Sequence, residues 1–140
     1  MIHKSEVNAK ELIGNYPVEI QSFLLSIRET ILRVAENMEV KELLETKRWG
    51  ELSFIAKGGS TIRINWNEAT PDRCYMFFIC TTKLVSTFQM IYGDELELIG
   101  NRAVVLPLSS PVPEEMMETC ISMALNYQKL RNKPLLGYSR

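Results

Sequence analysis

The chain carries a single histidine, His3, near its start. A lone imidazole at a loose terminus excludes Ser-His-Asp and Cys-His arrangements, and it excludes His-rich metal sites. Cysteine is scarce as well. Cys74, Cys80 and Cys120 are odd in number and form no C-x-x-C pair, which argues against a disulfide framework or a zinc knuckle. Cys74 and Cys80 fall in an apolar run, where a free cysteine acts as a small buried hydrophobe; a redox role is the other reading. No excess of one charge exists, since 16 Lys and Arg face 17 Asp and Glu for a net charge of −1. The broad basic footprint that nucleic acid or an anionic membrane needs is therefore missing. No apolar run approaches the ~20 residues of a membrane span, and residues 1–10 lack the apolar stretch of a signal peptide. G-x-S-x-G, P-loop and G-x-G-x-x-G motifs are absent too. These absences predict a cytoplasmic protein with neither nucleic acid nor membrane as a partner.

What is present suits one ordinary domain spanning residues 1–140, with 1–15 as a loosely attached N-terminal segment. A chain of this length buries roughly 68% of its unfolded surface, enough for a core without staples. Ser5 and Gly14 bracket a short helix as cap and stop. Pro17 opens a second helix reaching about Met38, on which Ile20, Phe23, Leu24, Ile27, Ile31, Val34, Ala35 and Met38 recur at three and four. Val40, Leu43 and Leu44 fall out of that phase, so a bend and a short separate turn are expected there.

Strands are predicted over Glu51–Ala56 and Thr61–Asn67, joined by Gly58-Gly59 as a two-residue hairpin. Cys74–Cys80 is apolar on both faces, the mark of a central strand covered twice. Thr81 or Thr82 caps a helix ending near Gly93. Glu95–Ile99 and Ala103–Leu108 form a second hairpin around Gly100-Asn101, and a last helix spans about Pro113 to Asn132. The fold class expected is α+β. It has an antiparallel sheet of about five strands in the order helix, three strands, helix, two strands, helix.

Four phrases carry a resemblance: Arg48-Trp49-Gly50-Glu51-Leu52-Ser53-Phe54; Gly59-Ser60-Thr61-Ile62-Arg63-Ile64; Cys80-Thr81-Thr82-Lys83-Leu84-Val85 with Thr87-Phe88; and Gly100-Asn101-Arg102-Ala103. Together they resemble the YdhG-like family of small bacterial domains, over about Tyr16 to Arg131. The resemblance implies a secretion-chaperone-like fold and brings no established reaction or catalytic residue. Some relatives are discussed as frataxin-like iron carriers. Leu52 departs from the pattern, standing where such sequences often have proline.

Two clusters invite a function. Glu36, Glu39, Glu42 and Glu45 recur at spacing three. Carboxylate oxygens suit hard or borderline cations, so Glu39 and Glu42 are candidate iron or calcium ligands; a solvated charged segment is the alternative. Trp49 and Trp66 flank the first hairpin, and Arg63 and Arg102 sit in or beside strands. An arginine among aromatics holds an anionic or planar ligand through its fork of N–H donors and by stacking. Core packing of both tryptophans and surface ion pairs for both arginines is the other reading. Arg63 and Asn65 share one face of a strand beside Tyr75, Phe77 and Ile79, so helices on one side only would leave an open, partly apolar surface. The candidate binding residues are thus Arg63, Asn65, Tyr75, Arg102, Trp49 and Trp66. They suit a non-enzymatic module for a small ligand, a peptide or a second copy of the chain. A frataxin-like iron carrier and a small enzyme without histidine are the alternatives.

Overall fold

In the computed structural model, which describes residues 1–139, the sheet has seven strands. Chain order is β1 (Ile2–Ser5), α1 (Ala9–Leu12), α2 (Val18–Asn37), β2 (Glu42–Arg48), β3 (Glu51–Ala56), β4 (Ile62–Trp66) and β5 (Arg73–Phe77). Then come α3 (Leu84–Tyr92), β6 (Leu98–Ile99), β7 (Ala103–Pro107), α4 (Glu114–Leu125) and α5 (Tyr127–Leu130). The strands lie side by side as β1-β2-β3-β4-β5-β7-β6. Every pairing is antiparallel except β1 with β2, which is parallel. The α+β class holds. No helix among the described residues is long and apolar enough to cross a membrane.

Register sorts the side chains of the sheet into two faces. Leu52, Phe54, Ile62, Ile64, Met76 and Val104 pair across β3, β4, β5 and β7 and are all buried. They form one cluster with Ile20, Leu24, Ile27 and Ile31 of α2, Phe88 of α3, and Ile121 and Leu125 of α4. Burying each such side chain contributes about 1.5–3 kcal/mol, so this helical layer is what holds the sheet. The stripe read from the sequence on α2 is buried from Ile20 to Ala35, with Phe23 half-buried, whereas Met38 lies past the helix end and is 40% exposed.

Two strands were not foreseen. β2 occupies the residues assigned to a bend and turn, and β1 lies in the segment assigned to a loose start and a helix from Ser5. The helical part there is only α1, capped by the Asn8 side chain accepting from the amide of Glu11 at 3.2 Å. β2 escaped because its inward set is Leu43, Glu45 and Lys47, with a carboxylate where alternation asks for an apolar residue. Glu45 is nevertheless 0% exposed. Arg28 of α2 grips it with Nε to Oε2 at 2.6 Å and Nη2 to Oε1 at 3.0 Å, and His3 of β1 reaches Oε1 at 2.9 Å. The bond to Glu45 raises the pKa of Arg28 above its ordinary value. β1 gives no pattern because all of its side chains are exposed.

Turns also differ from expectation. The two-residue hairpin is Trp49-Gly50, with φ of +57° and +77° between the paired Arg48 and Glu51, the left-handed geometry of tight hairpins. At Gly58-Gly59 the connection is wider. Gly58 takes φ +82°, but Gly59 is needed for space. A Cβ there would stand 2.6 Å from the Leu125 carbonyl oxygen and 2.9 Å from that of Ala124, because this loop docks on the end of α4. Ser60 N–H donates to Ala124 O at 2.8 Å and Gln128 N–H to Gly58 O at 3.0 Å. The last helix breaks at Asn126 instead of running to Asn132, and the strand expected over Glu95–Ile99 is only β6.

Two variants probe this frame. Gly59→Ala should lower the urea midpoint by the equivalent of about 1–3 kcal/mol with an unchanged slope, the cost of overpacking; an unchanged midpoint would mean the loop stands off α4. Arg28→Ala should cost about 3 kcal/mol, the low end for breaking a buried pair, because Arg28 itself is 23% exposed. Replacing Arg28 and Glu45 together by leucine should recover most of that loss, since no charge is then left buried.

Candidate functional site

On the face away from the helices, residues of β3, β4 and β5 meet a loop that leads into α2. Ser53 lies opposite Arg63 and Asn65 opposite Tyr75, which sets Glu51 beside Asn65 at the open end of the β3–β4 pair. Tyr16 closes that end. Its hydroxyl donates to Asn65 Oδ1 at 2.6 Å, and Asn65 Nδ2 donates to Glu51 Oε2 at 3.1 Å. Arg63 Nη1 donates to Glu51 Oε1 at 2.6 Å, and its guanidinium carbon sits 5.2 Å from the centre of the Phe77 ring. Burial pushes the Tyr16 phenol up from its ordinary pKa; its bond with Asn65 pulls the other way and the Glu51 carboxylate adds to the rise. The phenol therefore stays protonated and keeps donating.

Around this chain of bonds lies a cavity of about 560 Å³. Its walls are aromatic: Tyr16 and Trp66 have ring centres 5.2 Å apart at 57°, and Tyr75 and Phe77 lie 5.8 Å apart at 30°. Trp66 Nε1 donates to Pro71 O at 3.1 Å and the Tyr75 hydroxyl bonds Thr70 Oγ1 at 2.7 Å. Ile99, the acidic Glu68 and the polar Asn15, Asn67 and Thr70 complete the lining.

Of the residues singled out in the sequence, Asn65, Tyr75 and Trp66 line this cavity. Arg63 borders it through Glu51 and Phe77, and lines with Arg102 a smaller cleft of about 140 Å³ beside Ile79 and Cys80. Arg102 is exposed, with no ion-pair partner among the described residues. Trp49 lies elsewhere, 87% exposed at the tip of the β2–β3 hairpin, neither in the core nor at the cavity. Sequence reasoning missed Glu51 and Tyr16. The β3–β4 register could have placed Glu51 next to Asn65; nothing local points to Tyr16.

The strand at Cys74–Cys80 ends at Phe77 and lies between β4 and β7. Cys74, Met76 and Phe78 are buried, whereas Tyr75 and Phe77 are only half-buried and Ile79 is 39% exposed. Double coverage is thus not what this strand has; its second face looks into the cavity.

The four glutamates are dispersed. Glu36 is on α2, Glu39 follows it at φ +56°, Glu42 pairs with Lys4 at 3.1 Å, and Glu45 is buried. Among the described residues no group of three or more His, Cys, Asp or Glu is placed to hold a metal ion.

All three cysteines are free thiols. Burial pushes Cys74 and Cys120 from the ordinary 9.0 up to about 12. In the native protein at pH 8 a thiol reagent should therefore label Cys80 alone, with the other two appearing only in denaturant; rapid native labelling of Cys74 would contradict its burial. A folded-state pKa above the unfolded one adds stability that is whole below pH 9. It is lost as pH climbs from 9 towards about 12, because the unfolded chain ionises first. Melting points measured across that window should fall with rising pH, and fall less in Cys74→Ala. No family model, no curated protein and no solved structure matches this chain.

Proposed function

We propose that the chain is a non-enzymatic binding module that takes a small ligand with a flat or apolar body in the cavity between Tyr16, Trp66 and Tyr75. One observation carries it: a concave site of about 560 Å³, within the ~300–1,000 Å³ range of small-molecule sites, with aromatic walls and a few polar groups held in place by one another. Such a pre-set site loses little side-chain freedom on binding. The one histidine is engaged with Glu45, on the other face of the sheet.

Kinship with the YdhG-like family and its secretion-chaperone-like architecture belongs to the same proposal and rests on the four phrases in the sequence. A reducing, cytoplasmic setting fits three free thiols. A second copy of the chain is the competing occupant of this face, favoured by Ile99, which is 47% exposed at the cavity rim. The iron-carrier alternative has no such observation behind it.

A thermal-shift screen with nucleobases, aromatic amino acids and amines tests the binding reading. A ligand at a hundred times its Kd adds about 2.7 kcal/mol to the native state, a rise of at least about 5 °C in a domain of this size. The rise should vanish in Tyr75→Ala and persist in Trp49→Ala. A panel with no response, together with a concentration-dependent dimer in light scattering, would favour the second copy instead.

A further inference from the structure

We infer that the cavity is built for a small organic cation of the trimethylammonium class; this rests on the binding-module reading and specifies its ligand. The reason lies in what the walls have left to offer. Each ring that carries a polar atom has that atom already used: the Tyr16 hydroxyl by Asn65, the Trp66 indole N–H by Pro71 and the Tyr75 hydroxyl by Thr70. The rings are thereby pinned with their polar atoms engaged, and most of what they present is π face. A π face carries negative charge and attracts a cation, tryptophan most strongly. A trimethylammonium group needs only this, because it has no N–H to satisfy.

The charge around the rings agrees. None of the described residues lining the cavity is Lys, Arg or His, whereas Glu51 and Glu68 are both there. Glu51 accepts from Arg63 and from Asn65, one bond at each oxygen, which fixes its carboxylate and partly offsets its charge. A carboxylate has roughly four acceptor sites, so two remain. Glu68 is exposed and has no ion-pair or hydrogen-bond partner among the described residues, leaving its charge uncompensated at the mouth. An anion would meet two carboxylates and no basic side chain of the lining. The Arg63 guanidinium is already bound to Glu51 and laid over Phe77, and Arg73, close enough to interact with Tyr75, is paired with Asp72 and Glu97.

The experiment uses the full chain with Trp49→Phe, which leaves Trp66 as the only tryptophan. Choline and its neutral carbon isostere, with tert-butyl in place of trimethylammonium, are titrated at constant ionic strength while Trp66 emission is followed. Choline should give a saturable change and bind at least about tenfold more tightly than the isostere, the ratio a desolvated cation–π contact supplies. Glu68→Gln, a surface change with no internal bond to lose, should weaken choline about threefold and leave the isostere unchanged. Equal affinity for choline and isostere would overturn the inference, as would tighter binding of the isostere. Silence towards choline, with a neutral compound from the thermal screen still acting through Tyr75, would reject the cation and leave the binding-module reading standing. Silence towards choline and towards the whole screen would reject both.

Discussion

Successive side chains of a strand point to opposite faces of its sheet, so a helical layer on one face leaves the residues of the other to find partners among themselves. Here α2, α3 and α4 cover the face of Leu52, Phe54, Ile64 and Met76. On the other face Arg63, Asn65 and Glu51 are tied together and Tyr16 is drawn in to complete the set. Among the described residues no buried side-chain nitrogen or oxygen lacks a partner. The polar side of the sheet is therefore settled by its own bonds, and the aromatic rings between them remain the available surface. Ala103 and Val105 are buried on that face without joining the core cluster.

The Glu45–Arg28–His3 group does a different job. It joins β2, α2 and β1 through one carboxylate that has lost all contact with water. An ion pair of this kind contributes little net stability compared with apolar residues of the same shape, because desolvating the charges offsets their attraction. It does penalise any arrangement that leaves Glu45 unmatched. Sliding β2 by one residue would turn Glu45 away from Arg28 and bring Leu44 inward, so the group holds the register of a strand whose sequence alternates poorly. β1, with no buried side chain of its own, depends on this contact and on its pairing to β2.

Much of the frame was legible along the chain, because local signals and tertiary outcome agree where side chains are apolar. The stripe from Ile20 to Ala35 became the buried side of α2, and Ile62 with Ile64 became the inward pair of β4. Agreement failed where a polar group is buried or an exposed one is paired. β2 was hidden by Glu45, β1 by its full exposure, and the use of Gly59 by the fact that its constraint comes from α4. At the site, Asn65 and Tyr75 were within reach because they pair across β4 and β5 on one face, whereas Trp66 alternates with Ile62 and Ile64 to the other face and reaches the cavity at the end of β4. Trp49 and Arg102 were grouped with them by residue type alone, and each sits in a turn that points its side chain elsewhere.

The class of fold, the main helices and the two-faced apolar character of the strand at Tyr75 are written along the chain. These follow from periodicity and turn chemistry, which act over a few residues. Which side chains surround the cavity and which charges are buried depends instead on contacts between distant segments. Tyr16 meets Asn65 and Arg28 meets Glu45 across 49 and 17 positions of chain. Such contacts depend on how the helical layer settles on the sheet, and no local pattern records that.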